Sequence, residues 1–436
     1  MKKMPTSFRD SKISGDSDGV RQNRAAPDEP GRLSTQQARR SLSVAWQTFN
    51  CRTLMAHQAA ALRITLSLVA AAFLLREWPD SRVLYGDKSP WSSELLQRRL
   101  SETHLFTILA WSDQYWWFEV VYAATIIVCI LLLVGWHTRT MSWLFMLLII
   151  SLQNRNPLIG DGGDNITHLL AIYLAFTRCG RVWSLDARRA KRSTGPDTCA
   201  APQSPDVSGI VLWLSLGLLL AGAQLSGRSG SMISTGGFSV WAPVPGWATL
   251  LWGAWASAGI WFVAQRRPTW HEARLLFANL ANMLHNCAVF VIVGQICLVY
   301  LAAGWYKLLG SAWRTGTAVY FPLHVDYFSP WPEISHVLAE SHPLMVVITY
   351  GTVATQTAFP FFVFNRRIKN ILLVIVMIEH LAIGMLLALP FFSLAMLAAD
   401  TVFIPSSFLC RLSGATRRML IHRSAKTGPG GWGPCS

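Results

Sequence analysis

The chain of 436 residues is 52% hydrophobic and only 14% charged, with a mean hydropathy of +0.33. Soluble domains carry more charge on their surfaces, so the composition excludes a string of them and indicates a multi-spanning membrane protein. The formal net charge of +15 collects in the tails and in short loops between apolar runs. No soluble basic module interleaved with aromatic residues carries it, which argues against nucleic-acid binding.

The N-terminal stretch is polar and poor in aromatic residues, and we predict a disordered basic tail over residues 1–54. The first apolar run begins too late in the chain for a secretory signal peptide. The eight cysteines show neither a CxxC pattern nor zinc-finger spacing, and most would lie in spans or on the cytoplasmic side. A disulfide framework is therefore not expected.

Apolar runs long enough to cross a bilayer as helices recur along the rest of the chain. Such a run needs about 20 residues, and clear candidates lie at 58–75, 117–136, 209–225, 243–264, 285–305, 344–364 and 370–389. Shorter candidates lie at 140–153, 165–177 and 391–407. The sequence thus predicts an all-α polytopic bundle with about ten spans over residues 55–407.

The loops between these runs differ in charge, and this difference predicts their sides. Basic residues concentrate in "HTR", "RCGRVWSLDARRAKRS", "QRRPTWHEAR", "NRRIK" and the tail at 408–436. The intervening loops at 76–114 and 226–242 are mixed or sparse in charge. By the positive-inside bias, both termini should be cytoplasmic in a cell membrane, with 188–208 as a cytoplasmic linker before an inserted helix pair at 209–264.

A first candidate site is the segment "NRNPLIGDGGDNITH" at 154–168, where Asp161 and Asp164 flank two glycines. One interpretation is a re-entrant outer loop that places both carboxylates, Arg155 and His168 around a cavity. The other is a polar turn in which Asp164 or Asn165 caps the following helix. There is no full set of metal ligands, so no metal is expected.

A second candidate is Lys307 in "VYLAAGWYKLLGSAWRTG", at the predicted outer end of the 285–305 span. A lysine at a helix end commonly extends its amine to the water line. The alternative is an amine desolvated enough to be neutral and to act as a base or nucleophile. Gly304 and Gly310 beside it would permit close approach of backbone or ligand.

A third candidate is the pair Glu379 and His380 in the middle of the 370–389 span, followed by Asp400 in the last apolar run. Ionisable residues inside a membrane are costly and face a partner or a cavity. Because adjacent helical residues point about 100° apart, the two should have different partners. We expect His380 to face a site and Glu379 to make a packing contact, for example with Arg63.

Several blocks together resemble the HTTM family, whose membrane domain is shared with vitamin K-dependent gamma-carboxylase. They are "NRNPLIGDGGDNI...YLAFTRCGRVWSLDARR", "QICLVYLAAGWYKLLGSAWRTGTAVYF", "TQTAFPFFVFNRR" and "EHLAIGMLLALPFFSLAMLAADTVF". The DGGD element and the extra pair of spans are most similar to the SdpB branch, named for sporulation-delaying protein B. The resemblance covers residues 55–407.

The resemblance implies a bacterial membrane factor for maturation or export of a secreted antimicrobial, SdpC-like peptide, acting with a small SdpA-like partner. It also implies an alternative, a carboxylase-like enzyme in which Lys307 is the base that activates reduced vitamin K or menaquinone and His380 assists. Both residues would face the extracytoplasmic side. Asp161, Asp164, Arg155, Trp313 and Glu379 are then candidate binding residues.

Two departures from the carboxylase bear on this alternative. The carboxylase has a histidine where this chain carries the Gly163–Asp164 turn. Its large extracytoplasmic domain has no counterpart after Asp400. Glutamate carboxylation is therefore not the expected reaction, although a quinone-reactive base is compatible with the motif. A non-catalytic transporter or scaffold is the third hypothesis.

Overall fold

The computed structural model describes residues 30–103, 105–192, 207–226, 234–235, 238–239, 247–266 and 268–414. The chain divides into two units, Met1–Thr48 and Phe49–Ser436. A helix, α1, occupies Pro30–Cys51. The disordered tail predicted over residues 1–54 stays a prediction, and its residues 1–29 lie outside the described residues.

The second unit is built from helices joined by short turns. Its first part contains α2 (Ala56–Glu77), α3 (Ser81–Leu84), α4 (Ser93–Thr103), α5 (Tyr115–Val134), α6 (Thr138–Arg155), α7 (Gly162–Ala175) and α8 (Leu185–Arg192). Its middle part contains α9 (Val207–Leu225), the two-residue strands β1 (Ser234–Thr235) and β2 (Phe238–Ser239), and α10 (Trp247–Arg266). The two strands pair antiparallel, with Ser234 opposite Ser239.

The last part begins with an unusually long helix and ends with a bent pair. It contains α11 (His271–Leu309), α12 (Ser311–Arg314), α13 (Tyr320–Leu323), α14 (Pro332–Glu340), α15 (His342–Phe362), α16 (Arg366–Leu386), α17 (Pro390–Asp400) and α18 (Ser406–Gly414). With 39 residues, α11 is about 58 Å long. A hydrocarbon core is only about 30 Å thick, so α11 extends well beyond the predicted 285–305 span.

Seven helices of the described chain are long and apolar enough to cross a membrane, or eight if the α17–α18 pair, bent by 100°, counts as one span. They are Arg39–Glu77, Tyr115–Val134, Val207–Leu225, Trp247–Ala264, His271–Leu309, His342–Phe362 and Arg366–Leu386. Each overlaps one of the seven clear predicted runs. The prediction of an all-α fold with apolar helices of membrane length is therefore confirmed, and such helices suit hydrocarbon because their backbone is hydrogen-bonded internally.

The helices before and after the linker share one hydrophobic core. Within the first part, α2 packs on α5, and α6 packs on α5 and α7. In the last part α11 packs on α15, and α16 packs on α15 and α17. Helix α17 lies against both α2 and α7, and so joins the two parts around buried residues such as Leu66, Leu170 and Met396.

The inserted helices α9 and α10 form a pair of their own. The rings of Trp213 and Trp255 stack with centroids 4.1 Å apart. Each indole N–H donates a hydrogen bond to the backbone carbonyl of the other tryptophan, at 3.0 and 2.9 Å. Gly217 and Gly259 lie under these rings, where a Cβ atom would come within 2.8 Å of an indole atom. Tryptophan stacking over glycine therefore explains the register of the pair.

A fully buried arginine ties α2 to the end of α5. The Arg63 side chain is 0% exposed and donates hydrogen bonds to the carbonyls of Leu132, Leu133 (3.0 Å) and Trp183 (2.7 Å). The last carbonyls of a helix lack intrahelical partners, and a cation there also opposes the negative end of the helix dipole. Gly135 ends α5 with φ at +76° and leaves room for this guanidinium.

We expect Arg63→Met to lower the free energy of unfolding by about 3 kcal/mol or more, because it leaves buried carbonyls unpaired. Thermal unfolding in detergent micelles measures the change. Arg98→Met on α4 is the control, since that side chain is 79% exposed and its loss should cost at most about 0.5 kcal/mol. Equal stability of the two variants would contradict this account of Arg63.

Candidate functional site

Lys307, at the end of α11, is hydrogen-bonded to the neutral side-chain amide of a glutamine. Its Nζ donates to Oε1 of Gln356 on α15 at 2.7 Å, and Nε2 of Gln356 donates to Oε1 of Glu379 on α16 at 2.5 Å. Nζ also lies 5.2 Å from the ring centroid of Trp313, within cation–π range. We refer to Lys307, Gln356 and Glu379 as the lysine cluster.

Close packing of α11 on α15 brings this cluster together. Gly304 lies one turn before Lys307, and a Cβ atom there would come within 2.4 Å of Oγ1 of Thr357. The glycine therefore lets the two backbones approach, as the sequence suggested. The short distance between helices places Gln356 within reach of the amine.

A second polar group lies on the same face of α11. Tyr300 is two turns before Lys307, and its hydroxyl lies 2.8 and 3.0 Å from the two carboxylate oxygens of Asp400 on α17. The same hydroxyl lies 3.2 Å from Nε2 of His380 on α16. Tyr300 is 1% exposed, Asp400 is 0% exposed and His380 is 2% exposed. We refer to Tyr300, His380 and Asp400 as the tyrosine triad.

The two groups meet on α16, where Glu379 belongs to the lysine cluster and His380 to the triad. The prediction that these neighbours have different partners is therefore confirmed. The example of Glu379 pairing with Arg63 is wrong, because Arg63 binds backbone carbonyls. Helix α16 thus presents two adjacent ionisable side chains to two different sets of partners.

The DGGD turn forms a capping box at the start of α7. Oδ1 of Asp161 accepts the backbone N–H of Asp164 at 2.9 Å, and Oδ2 of Asp164 accepts the backbone N–H of Asp161 at 3.1 Å. The cap is therefore Asp161, and the alternative of a cap at Asp164 or Asn165 is wrong. In a capping box, two side-chain acceptors three residues apart each accept the backbone N–H of the other residue, so two N–H groups that lack helical partners are satisfied.

The two aspartates also line a cleft, as one interpretation of the turn required. The cleft encloses about 680 Å³, part of it open to the outside, and its walls come from α2, α6, α7 and Phe391. Its other polar residues are Tyr85, Gln153, Asn156 and Thr167. The carboxylates are therefore placed beside an apolar space as well as in a cap.

Arg155 and the turn have different partners. The Arg155 guanidinium is buried and donates to the carbonyls of Trp91 at 2.9 Å and Gly86 at 3.1 Å, so it holds the loop after α3. It lines a second, smaller cavity. The described contacts do not place Arg155 or His168 in the cleft beside Asp161, and they do not join Lys307 to the turn. Arg155 thus lies at a different cavity from the carboxylates, and the grouping of His168 with them stays a prediction.

Sequence reasoning missed Gln356 and Tyr300, which join the ionisable residues into clusters. Gln356 stands in the apolar run of α15 and is 4% exposed, and a buried amide in a span needs a partner. The position of Gln356 in an apolar run could therefore have indicated a buried polar contact. The position of Tyr300 gave no such indication, because tyrosine is common near the ends of spans.

The lysine cluster has the parts for proton transfer. An amine, a carboxylate and an amide that bridges them lie in hydrogen-bonded sequence, and a histidine follows the carboxylate in the chain. The amine is half-buried near the end of its span, and so a molecule in the bilayer can reach it. No group of three or more His, Cys, Asp or Glu in the described residues is placed to hold a metal ion.

Comparisons with protein-family models, with curated proteins and with solved structures found no match to this chain. Function therefore has to be argued from the residues and their geometry.

The capping and charge roles of Asp161 can be separated by two substitutions. Asparagine retains the oxygen acceptor, so Asp161→Asn should change the free energy of unfolding by only a few tenths of a kcal/mol, whereas Asp161→Ala should cost about 1 kcal/mol. Thermal unfolding in micelles compares them. Equal destabilisation by both would contradict the capping role, and lost function in a stable Asp161→Asn variant would show that the charge matters too.

Proposed function

We propose that this chain is an HTTM-type, SdpB-like integral protein of the bacterial cytoplasmic membrane that acts in maturation or export of a secreted antimicrobial peptide. Its partners would be a small SdpA-like membrane protein and the exported precursor. The observation that carries the proposal is the lysine cluster, a lysine and a glutamate bridged by an amide between membrane-length helices. Such intramembrane ionisable groups mark functional sites.

Both termini face the cytoplasm in this proposal. Contacts between loops support the sidedness: Asp186, in the basic segment after α7, accepts hydrogen bonds from the backbone of His137 and Thr138. Gln58, at the start of α2, donates to Ile404 and Ser406 beyond α17. The first contact joins two loops predicted to be cytoplasmic, and the second joins the predicted cytoplasmic ends of two spans, as a common side requires.

The ten proposed spans are seven long helices, the shorter α6 and α7, and the bent α17–α18 pair. Helix α6 has 18 residues and α7 has 14. Helix α6 is joined to α7 by the short segment 156–161, and both helices pack inside the bundle. Helices shielded by protein can be shorter than lipid-facing ones.

The geometry favours proton abstraction by Lys307 as the chemical step. A direct ion pair with a carboxylate would stabilise the ammonium. Lys307 instead contacts a neutral amide, and no carboxylate among the described residues lies within 4 Å of its Nζ. Glu379, one amide away, supplies a negative charge that stabilises the ammonium formed when Lys307 takes a proton.

The alternative enzyme would use a reduced quinone, and the residues around Lys307 fit such a molecule. The indole of Trp313 beside a half-buried amine suits an aromatic compound that dissolves in the bilayer. A reduced quinone, when bound, supplies an acidic hydroxyl group on an aromatic ring. Lys307, Gln356 and Trp313 would hold it, and Lys307 would take the proton.

Deletion of this protein should abolish the mature form of the co-encoded secreted peptide in the medium, as measured by mass spectrometry. Lys307→Arg keeps a cation but removes an accessible base, so it should lower the yield of mature peptide about 100-fold or more. Lys88→Arg, in an outer loop, is the matched control and should retain wild-type yield. Unchanged peptide after deletion would exclude a maturation or export factor.

Gln356→Glu sharpens this test, because it places a carboxylate directly against the amine. Yield should fall as in Lys307→Arg, because the new carboxylate stabilises the ammonium, although it also replaces the N–H group that donates to Glu379. If both variants are present at wild-type abundance and give normal yield, Lys307 has only a structural role, as in the transporter or scaffold hypothesis.

The quinone alternative makes a separate prediction. Cells unable to make menaquinone should contain this protein at normal abundance but should secrete only unmodified peptide, and added menaquinone should restore the product. The measurement is again the mass of the secreted peptide. Normal product in the depleted cells would exclude the quinone-dependent reaction and leave the maturation factor standing.

A further inference from the structure

The tyrosine triad is more deeply buried than the lysine cluster, and one of its polar atoms is unpartnered. Nδ1 of His380 has no hydrogen-bond partner among the residues that the structure describes, and the side chain is 2% exposed. Buried polar atoms are normally paired. An unpaired ring nitrogen therefore needs an explanation.

The direction of the hydrogen bonds follows from the number of protons available. Tyrosine has a single O–H, and its oxygen lies 2.8 and 3.0 Å from the two oxygens of Asp400. This bifurcated arrangement is that of a hydroxyl donating to a carboxylate. While Asp400 is ionised, Tyr300 accepts from His380, so His380 carries its proton on Nε2 and Nδ1 presents a lone pair.

We propose that Asp400, acting through Tyr300, fixes His380 as a proton acceptor at Nδ1 and is the group on which the accepted proton comes to rest. Asp400 and Tyr300 are thus positioning residues for His380. The function assigned to His380 rests on the proposed function, whereas the hydrogen-bond directions do not.

Once a proton from solvent or from the reacting molecule reaches Nδ1, each further proton moves along one hydrogen bond of the triad. An N–H bond forms at Nδ1 of His380 with the incoming proton, and the N–H bond at Nε2 breaks as its proton passes to Tyr300. The original O–H bond of Tyr300 breaks as its proton passes to Asp400. The net charge of the triad changes from −1 to 0, and no electrons are transferred.

Burial provides the reason for the proton to move on from the histidine. An ionised carboxylate out of water is costly unless it is well paired, and Asp400 has one O–H donor and is 0% exposed. Protonation at Nδ1 alone would leave an imidazolium and a carboxylate in low dielectric. The shift through Tyr300 leaves three neutral, hydrogen-bonded groups instead.

Other ionisable groups around the triad could contribute to its titration. Glu379 and Lys307 act on it electrostatically from α16 and α11, as does Cys297 on α11. Near the start of α17, Arg76 of α2 lies over the ring of Phe391, and Asp164 of α7 lines the cleft beside it. Beyond the end of α17, Lys369 of α16 donates a hydrogen bond to the carbonyl of Phe403.

The test uses the full chain in nanodiscs, with ¹⁵N-labelled histidine followed by nuclear magnetic resonance as the pH is lowered. His380 should change from the Nε2–H to the Nδ1–H tautomer without passing through a doubly protonated imidazolium. The infrared band of a protonated carboxyl group, assigned by its loss in Asp400→Asn, should rise over the same pH range. Separate pH ranges, or an imidazolium signal from His380, would overturn the proposal.

His285 is an internal reference in the same spectrum. It is also fully buried, its Nε2 lies 2.8 Å from the Leu54 carbonyl, and its Nδ1 accepts the Arg178 backbone N–H at 2.9 Å. Tyr300→Phe should release His380 to a mixture of tautomers and leave the His285 signals unchanged. An unchanged His380 spectrum in Tyr300→Phe would refute the relay, whatever the peptide assay shows.

Discussion

Hydrocarbon offers no water to polar groups, and this constraint determines which side chains of the chain contact one another. Arg63 is stable in the bundle because three backbone carbonyls accept its protons. Gln356 uses both ends of its amide, one for Lys307 and one for Glu379. Each polar side chain therefore fixes the position of another helix, and the apolar surfaces fill the space between these contacts.

The same constraint explains how the two parts of the molecule are joined. Helix α17 carries Phe391 at its start, near the cleft beside the DGGD turn, and Asp400 at its end, against Tyr300. One short helix thereby contacts the N-terminal helices through its apolar residues and the C-terminal helices through a carboxylate. A membrane domain divided by a linker can thus share a single core.

Hydropathy alone predicted the helices well and their partners poorly. An apolar run of about 20 residues has few alternatives to a helix in a bilayer, so seven spans were found with their ends within a few residues, except at α11. Helix α11 begins earlier because residues 271–284 continue the helical pattern outside the apolar run. Hydropathy therefore identifies the apolar part of a helix but does not show where the helix itself begins or ends.

Partners depend on helix rotation and on distance between helices, which one sequence does not record. Glu379 was expected to pack on Arg63, because both are ionisable residues in spans. The actual contact with Gln356 requires the close approach at Gly304. In the DGGD turn the chemistry is local, so a cap was predictable, although the capping residue was not.

The neutral amide between Lys307 and Glu379 has a consequence for chemistry in low dielectric. A direct lysine–glutamate contact would be stable as an ion pair, and removing a proton from it would leave an unpaired carboxylate. With Gln356 between them, the amine can lose a proton while the amide keeps both of its hydrogen bonds, since a neutral amine still donates. The bridge therefore makes the charged and neutral forms of Lys307 compatible with one packing arrangement. A purely structural clamp would gain stability from the direct ion pair, and so the intervening glutamine favours a functional role for this lysine.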